Sequence, residues 1–307
     1  LRKVSLRDKT ARAGATWNRQ YPHPPYHIAQ EILKMTDSPL LCRILSIALA
    51  LCTLSSATAQ EWKSGIEWQE PPLVTPGTTN DAPPSDAVVL FDGSSLEAWE
   101  NGEKWLVQDG VAIPRETAIS TKQHFGDLQL HLEWSAPTEI RGEGQGRGNS
   151  GCYLMGQYEV QILDSFENKT YFDGQAGSIY KQTPPMANAM RKPGEWNSYE
   201  ILFTAPRFRS NGDVVRPGFV TLIQNGIVML NHFELEGSTS YTEAARYRPH
   251  AETGPIQLQF HGDAVRFRNI WVRELRPPAG RRVSPPFNIP VKPQPAANPA
   301  AAATSVD

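Results

Sequence analysis

The sequence predicts an all-β protein, two antiparallel sheets packed as a jelly-roll β-sandwich with a concave polar groove on one outer face. Three observations predict it. Leu128-Gln129-Leu130-His131-Leu132-Glu133-Trp134 and Ile256-Gln257-Leu258-Gln259-Phe260-His261 alternate apolar and polar residues with a period of two, the signature of half-buried strands. Asp109-Gly110 and Asn225-Gly226 stand between apolar runs, where they favour tight hairpin turns. No amphipathic helical period occurs between residues 86 and 276.

Residues 1–34 are polar, basic early on and lack Met; they read as a mis-called upstream extension. Residues 35–59 read as a secretory signal peptide. Arg43 gives the positive start, Ile44 to Leu54 the apolar stretch, and Ala57-Thr58-Ala59 the small-residue cleavage site. That stretch is too short for a stable membrane span, so the expectation is an exported protein, periplasmic or extracellular. Residues 60–85 carry Pro71-Pro72, Pro76-Gly77 and Pro83-Pro84 and read as a linker.

The folded domain is expected over 86–276. Its strands begin with Val88–Phe91, followed by a hairpin of Trp105–Val107 and Val111–Ile113. Ala118–Lys122, Leu128–Trp134, Cys152–Met155 and Gln157–Asp164 come next. A polar connection over about 165–195 contains the small strand-like patch Gly177-Ser178-Ile179-Tyr180 and ends at Glu195-Trp196-Asn197. Connections of that length inside a domain are usually functional. Tyr199–Phe203, Phe219–Ile223, Ile227–Leu230, Ile256–His261 and Val265–Val272 complete the set. From residue 277 the composition is rich in Pro and Ala and reads as a disordered tail.

Charge and cysteine content narrow the function. There are 30 basic and 32 acidic residues, with no basic block, which argues against nucleic acid as a partner. Of the three cysteines, only Cys152 lies beyond the signal, so the mature chain has no intrachain disulfide. No CxxC pair, HExxH, phosphate loop or dinucleotide fingerprint is present. The glycine-rich run Gly142–Gly148 lacks a strand-to-helix context and reads as a surface loop.

The chemistry is expected on polar strand faces. In Tyr158-Glu159-Val160-Gln161-Ile162-Leu163-Asp164, alternation puts Glu159 and Gln161 on one face. Asp164 is out of phase and joins them only if a β-bulge at Ile162-Leu163 adds a residue. Three polar sets are candidates to converge: Glu159/Gln161/Asp164, Gln257/Gln259/His261 and Gln129/His131/Glu133. Amides, carboxylates and aromatic faces suit sugar hydroxyls, with Trp196, Tyr180 and Tyr153 as stacking platforms. Trp134 and Trp271 are assigned to packing. A retaining glycosidase would need Glu159 and Asp164 about 5–5.5 Å apart, with the uncharged Gln161 between them. Proton abstraction beside a ketone asks only for one base and one group to hold the enolate oxygen. Glu159, Asp164 or His261 can be the base; Lys122, His261 or a cation the electrophile.

The order of short motifs then carries a resemblance. It runs through Leu90-Phe91-Asp92-Gly93, Phe125-Gly126-Asp127-Leu128, Asn149-Ser150-Gly151, Tyr158–Asp164, Gly177–Tyr180, Glu195-Trp196-Asn197, Gly254–Gln259 and Phe267-Arg268-Asn269-Ile270. Over roughly 86–275 the chain resembles the 3-keto-disaccharide hydrolase domain family. The resemblance implies a concanavalin A-like lectin/glucanase fold and cleavage of glycosides oxidised to a ketone at C3. On that reading Glu159, Asp164 and His261 surround the keto-sugar, and Lys122, Asn149, Gln161, Tyr180, Trp196 and Gln259 bind it. No cofactor is required, though the donor types are compatible with a divalent cation such as Ca2+. The competing classes are a non-catalytic lectin-like carbohydrate-binding module and a direct retaining glycosidase.

Overall fold

A computed structural model describes residues 60–290. The 1–34 and 35–59 segments fall outside them, as does the part of the expected tail beyond residue 290. The chain divides into two compact units, one of Leu1–Glu67 with Arg282–Asp307 and one of Trp68–Arg281. In the first, Gln60–Lys63 pairs antiparallel with Phe287–Pro290, so part of the expected linker and part of the expected tail are strand. The second unit carries the sandwich.

The strands of its two main sheets begin with β1 (Val88–Phe91), β2 (Trp99–Glu100), β3 (Leu106–Gln108), β4 (Val111–Ile113) and β5 (Ile119–Thr121). They continue with β6 (Leu128–Ser135), β7 (Ser150–Leu154), β8 (Tyr158–Ile162) and β9 (Asn197–Thr204). The last four are β10 (Phe219–Gln224), β11 (Ile227–Glu234), β12 (Gln257–Leu258) and β13 (Arg266–Glu274). The larger sheet has eight strands in the order β11-β10-β9-β6-β13-β4-β3, with β1 also paired to β13. The smaller has five, in the order β8-β7-β12-β5-β2. Every pairing in both sheets is antiparallel, so the expected jelly-roll sandwich is the fold.

The hairpin turns follow their dipeptides. Asp109 and Gly110 have φ of 52° and 75°, and Asn225 and Gly226 have 53° and 80°. Positive φ at both central residues gives the twist that continues two strands.

The alternation in β6 sends Leu128, Leu130, Leu132 and Trp134 inward, where all four are buried. They share one core cluster with Tyr158, Val160 and Ile162 of β8, Cys152 of β7 and Leu258 of β12. Trp134 packs edge-on against Tyr199 at 5.5 Å between centroids. The Tyr199 hydroxyl donates to the Gln161 carbonyl at 2.8 Å. A core tyrosine of the large sheet thus holds the backbone of β8 in the small one.

Two strands end earlier than their sequence pattern predicts. The alternating run at 256–261 is a strand only over Gln257–Leu258. Likewise β8 stops at Ile162, and its register with β7 runs in step from Tyr158↔Leu154 to Ile162↔Ser150. No bulge lies in this pairing, which corrects the expectation that one would bring Asp164 into line.

The 165–195 connection does not hang free. It returns along the open edge of β8: Gln161 N donates to Ser178 O, Gly177 N to Gln161 O, and Tyr180 N to Glu159 O, at 3.0, 3.0 and 3.1 Å. An edge strand leaves such groups unpaired. Here the connection satisfies them and brings Tyr180 beside Glu159.

Candidate active site

The outer face of the small sheet carries a cleft of about 540 Å3. Glu159 and Gln161 from β8 and Tyr153 from β7 line it, together with Asn149, Gln259 and His261. Gln145, Tyr171, Tyr180 and the Thr239–Tyr241 loop complete its walls. The walls cover the outer face of β8 so closely that Glu159 and Gln161 are buried as well as its core-facing residues.

Glu159 is 4% exposed. Its backbone N–H donates to Thr239 Oγ1 at 3.0 Å, which ties the strand to the wall. Burial pushes its carboxyl up to about 7, against a smaller downward pull from the Tyr153 hydroxyl that hydrogen-bonds it. Desolvation disfavours the ionised form when few donors compensate. Tyr153 stands opposite Glu159 in the β7–β8 register and accepts a hydrogen bond from Gln259 Nε2 at 3.3 Å. Gln259 Oε1 is enclosed and has no partner among the described residues.

Gly151 makes room for the carboxylate. A Cβ there would lie 2.4 Å from Glu159 Oε1 and 3.0 Å from Cε2 of Tyr153. Any side chain at 151 would therefore have to displace the carboxylate or the ring. Beside it, Gln161 Nε2 donates to Gln145 Oε1 at 3.0 Å. Gln145 is itself fixed by Thr170 Oγ1 and Gly174 O at 2.9 and 2.8 Å, and Asn149 Nδ2 donates to its carbonyl at 2.7 Å. At the rim the Tyr171 and Tyr180 hydroxyls are 2.6 Å apart.

Six of the nine residues singled out in the sequence meet in this cleft: Glu159, His261, Asn149, Gln161, Tyr180 and Gln259. Three do not. Asp164 Oδ2 accepts from Arg147 Nε at 2.7 Å and Oδ1 from Phe166 N at 3.2 Å. It is a buried residue just past the end of β8 and lines a different cavity. Without a bulge, strand alternation keeps it off the face of Glu159. Lys122 is exposed and lines a depression with Trp99 and Trp105. Trp196 lies under the Arg268 guanidinium at 4.2 Å, against a residue of the large sheet.

The third polar set is also elsewhere. His131 and Glu133 lie on the outer face of the large sheet, beneath residues that precede β1. Asn269 Nδ2 and Trp271 Nε1 both donate to the Asp81 carbonyl, at 2.9 and 3.0 Å. Trp271 is 3% exposed and stacks on His131 at 5.2 Å. The Cys152 thiol faces the core and burial pushes it up to about 12, so it is no nucleophile.

Four participants escaped the sequence reading: Gln145, Tyr171, Gly151 and the Thr239–Tyr241 loop. The pairing of β7 with β8 would have pointed to Gly151. Nothing local in the sequence marks the others.

Glu159 is the one acid among the residues lining this cleft. A hard cation takes six or more oxygens, drawn from carboxylates, amide and backbone carbonyls and water. No cluster of three His, Cys, Asp or Glu suited to a metal occurs among the described residues.

A family model described as a 3-keto-alpha-glucoside-1,2-lyase-like domain matches residues 86–273. A 3-keto-disaccharide hydrolase of Bacteroides thetaiotaomicron is 22% identical over 297 residues, covering 79% of this chain and 100% of that protein. The crystal structure of a candidate glycosyl hydrolase from Parabacteroides distasonis is 50% identical, with a TM-score of 0.65. That match covers 68% of this chain and 94% of that one.

Proposed function

The chain belongs to the 3-keto-alpha-glucoside-1,2-lyase-like family, and we propose that it is an exported enzyme cleaving 3-keto-glycosides with Glu159 as its acid–base. The observation that carries this reading is a single buried carboxyl, raised to about 7, on the floor of an open polar cleft. A general base works best when its pKa lies near the operating pH.

Glu159 takes the proton from C2, which the neighbouring C3 ketone acidifies. The C2–H electrons form an enolate whose oxygen needs hydrogen-bond donors. His261 and the Tyr171–Tyr180 hydroxyl pair are the candidates for that task. Collapse of the enolate restores the ketone, forms a C1–C2 double bond and breaks the C1–O bond. The departing oxygen takes up a proton. Water then adds its oxygen to C1 and a proton to C2, so the net change is hydrolysis. Gln161, Gln259 and Asn149 bind the sugar hydroxyls.

A retaining glycosidase would need a second carboxyl near Glu159. Asp164, the nearest acid in sequence on that side, has its oxygens committed to Arg147 and Phe166. The test is incubation of the protein with a 3-keto-glucoside and with its unoxidised parent. Release of the aglycone from the keto compound alone is expected. Turnover of the parent alone would sink the elimination route, and turnover of neither would favour a binding module.

A further inference from the structure

Gln259 stands just past the end of β12, yet its backbone is fixed to β7 at two points. Its N–H donates to the Gly151 carbonyl at 2.9 Å, and its carbonyl accepts from Ser150 Oγ at 2.7 Å. Tyr153 of β7 pairs with Glu159 on one side and with Gln257 on the other. Gln259 is two residues on from Gln257, so its side chain reaches Tyr153 along the diagonal, a spacing that long side chains span.

That side chain makes one hydrogen bond. Nε2 donates to the Tyr153 hydroxyl at 3.3 Å, and Oε1 has no partner among the described residues. A tyrosine hydroxyl has one proton to give and lone pairs to accept with. With an amide N–H on its oxygen, Tyr153 gives its proton to Glu159, the carboxyl it hydrogen-bonds. The reversed amide would set Oε1 against Tyr153 and draw that proton away. Burial, and then the charge of Glu159, push the Tyr153 hydroxyl well above the usual tyrosine range, so it stays a donor.

His261, Tyr171, Tyr180 and Tyr241 also line the cleft, and Lys181 Nζ lies over the Tyr171 ring at 3.5 Å. On the core side the Cys152 thiol, pushed up to about 12 by burial, stays neutral. None of these groups hydrogen-bonds the Glu159 carboxyl.

We propose that Gln259 is a positioning residue that acts on Glu159 through Tyr153: its amide N–H occupies the Tyr153 oxygen and so aims the one hydroxyl proton at the carboxylate. The value of this to catalysis rests on the reading of Glu159 as the base; the hydrogen-bonded chain itself does not.

The test follows the Glu159 carboxyl by carbon NMR in protein labelled at glutamate, with Glu159→Gln to assign the signal. Gln259→Met removes the amide and keeps the length, and the main-chain anchors to β7 remain. A weakened donor to the ionised form raises a carboxyl. The titration midpoint, about 7 in the unaltered protein, is therefore expected to rise by about half a pH unit, a fraction of one hydrogen bond to a charged group. In a Tyr153→Phe background Gln259→Met should move it no further. A midpoint that stays in place, or that moves equally in both backgrounds, would overturn the proposal. Gln259→Asn, whose shorter amide falls back from Tyr153, gives the same reading should Gln259→Met not fold. Turnover separates the two readings. A risen midpoint in a protein that cleaves no 3-keto-glucoside upholds the positioning and ends the role of Glu159 as base. An unmoved midpoint in a protein that does cleave it ends the positioning alone. Where both hold, the acid limb of kcat/KM moves with the midpoint; a side chain that only bound sugar would lower kcat/KM at every pH and leave the limb in place.

Discussion

Glu133 and Glu159 both stand on the polar side of a strand, on the outer faces of opposite sheets. Burial pushes both carboxyls up and is the largest single influence on each. Glu159 ends at about 7, whereas neighbours hold Glu133 down at about 2. The difference lies in what surrounds them. His131, Asn269 and Arg268 all hydrogen-bond Glu133, while Glu159 has the Tyr153 hydroxyl alone. A strapped face with matched charges makes structure. A walled face with one under-supported acid makes a reactive group.

His131 completes the contrast. Burial alone would lower it, but hydrogen bonds and charges of Glu133 and Glu200 outweigh that and raise it to about 9. It is fully buried, and its Nδ1 is bound to Glu200. The large-sheet face is thus ionic at neutral pH, with residues near Asp81 closing over it.

The contrast between the two faces is disturbed most by a change at Glu159. Replacing it by Gln keeps the shape and removes the acid–base. Turnover of a 3-keto-glucoside is expected to fall by about 10²–10⁴, while the melting temperature holds or rises because no buried charge remains. An equally active variant would end the role given to Glu159.

On the other face, His131→Ala should do the reverse. It leaves Glu133 and Glu200 without their shared cation, at a cost of about 3 kcal/mol for a broken buried pair. Denaturant unfolding reads that loss, and kcat/KM measured well below the transition should be unaffected. A drop in kcat/KM without a loss of stability would show that the two faces are coupled.

Gly151→Ala probes the cleft more finely. The added methyl meets Glu159 Oε1 at 2.4 Å, so the carboxylate must shift. A misplacement of that size is expected to lower kcat by about 10–100-fold, with the fold kept as read by circular dichroism.

The smallest effects are in pH. As a base, Glu159 makes kcat/KM rise with pH through about 7, and Tyr153→Phe should move that limb upward by removing a hydrogen bond to the ionised form. Stability responds in two windows. Glu159 keeps its proton in the folded state between 4.5 and about 7 after the unfolded chain has lost its own, so stability falls as pH rises there. The contribution of His131 is complete below 6.5 and is lost as pH rises through about 9. A melting-temperature series should show the upper window vanish in His131→Ala.

Sequence alternation is a good guide to which face a residue occupies and a poor guide to which faces meet. The polar sets around Glu159 and His131 look alike along the chain. Their separation follows from β6 and β8 lying in different sheets, which only long-range pairing decides. Asp164 shows the same limit locally. One residue of register sets a side chain on the core or the solvent side, and an unbulged β8 sends Asp164 to Arg147. Gln259 and His261 reach the cleft although their strand stops at Leu258.

The sequence by itself determined the all-β fold, the hairpins at Asp109-Gly110 and Asn225-Gly226, and the pairing of Glu159 with Gln161 on one face. These are local consequences of side-chain period and turn chemistry. Only the tertiary structure decided that Glu159 is enclosed, that Gly151 clears space for it, and that the 165–195 connection walls it in. Those depend on contacts between residues far apart in the chain, and a carboxyl's acidity is set by the donors and the water that such contacts admit or exclude.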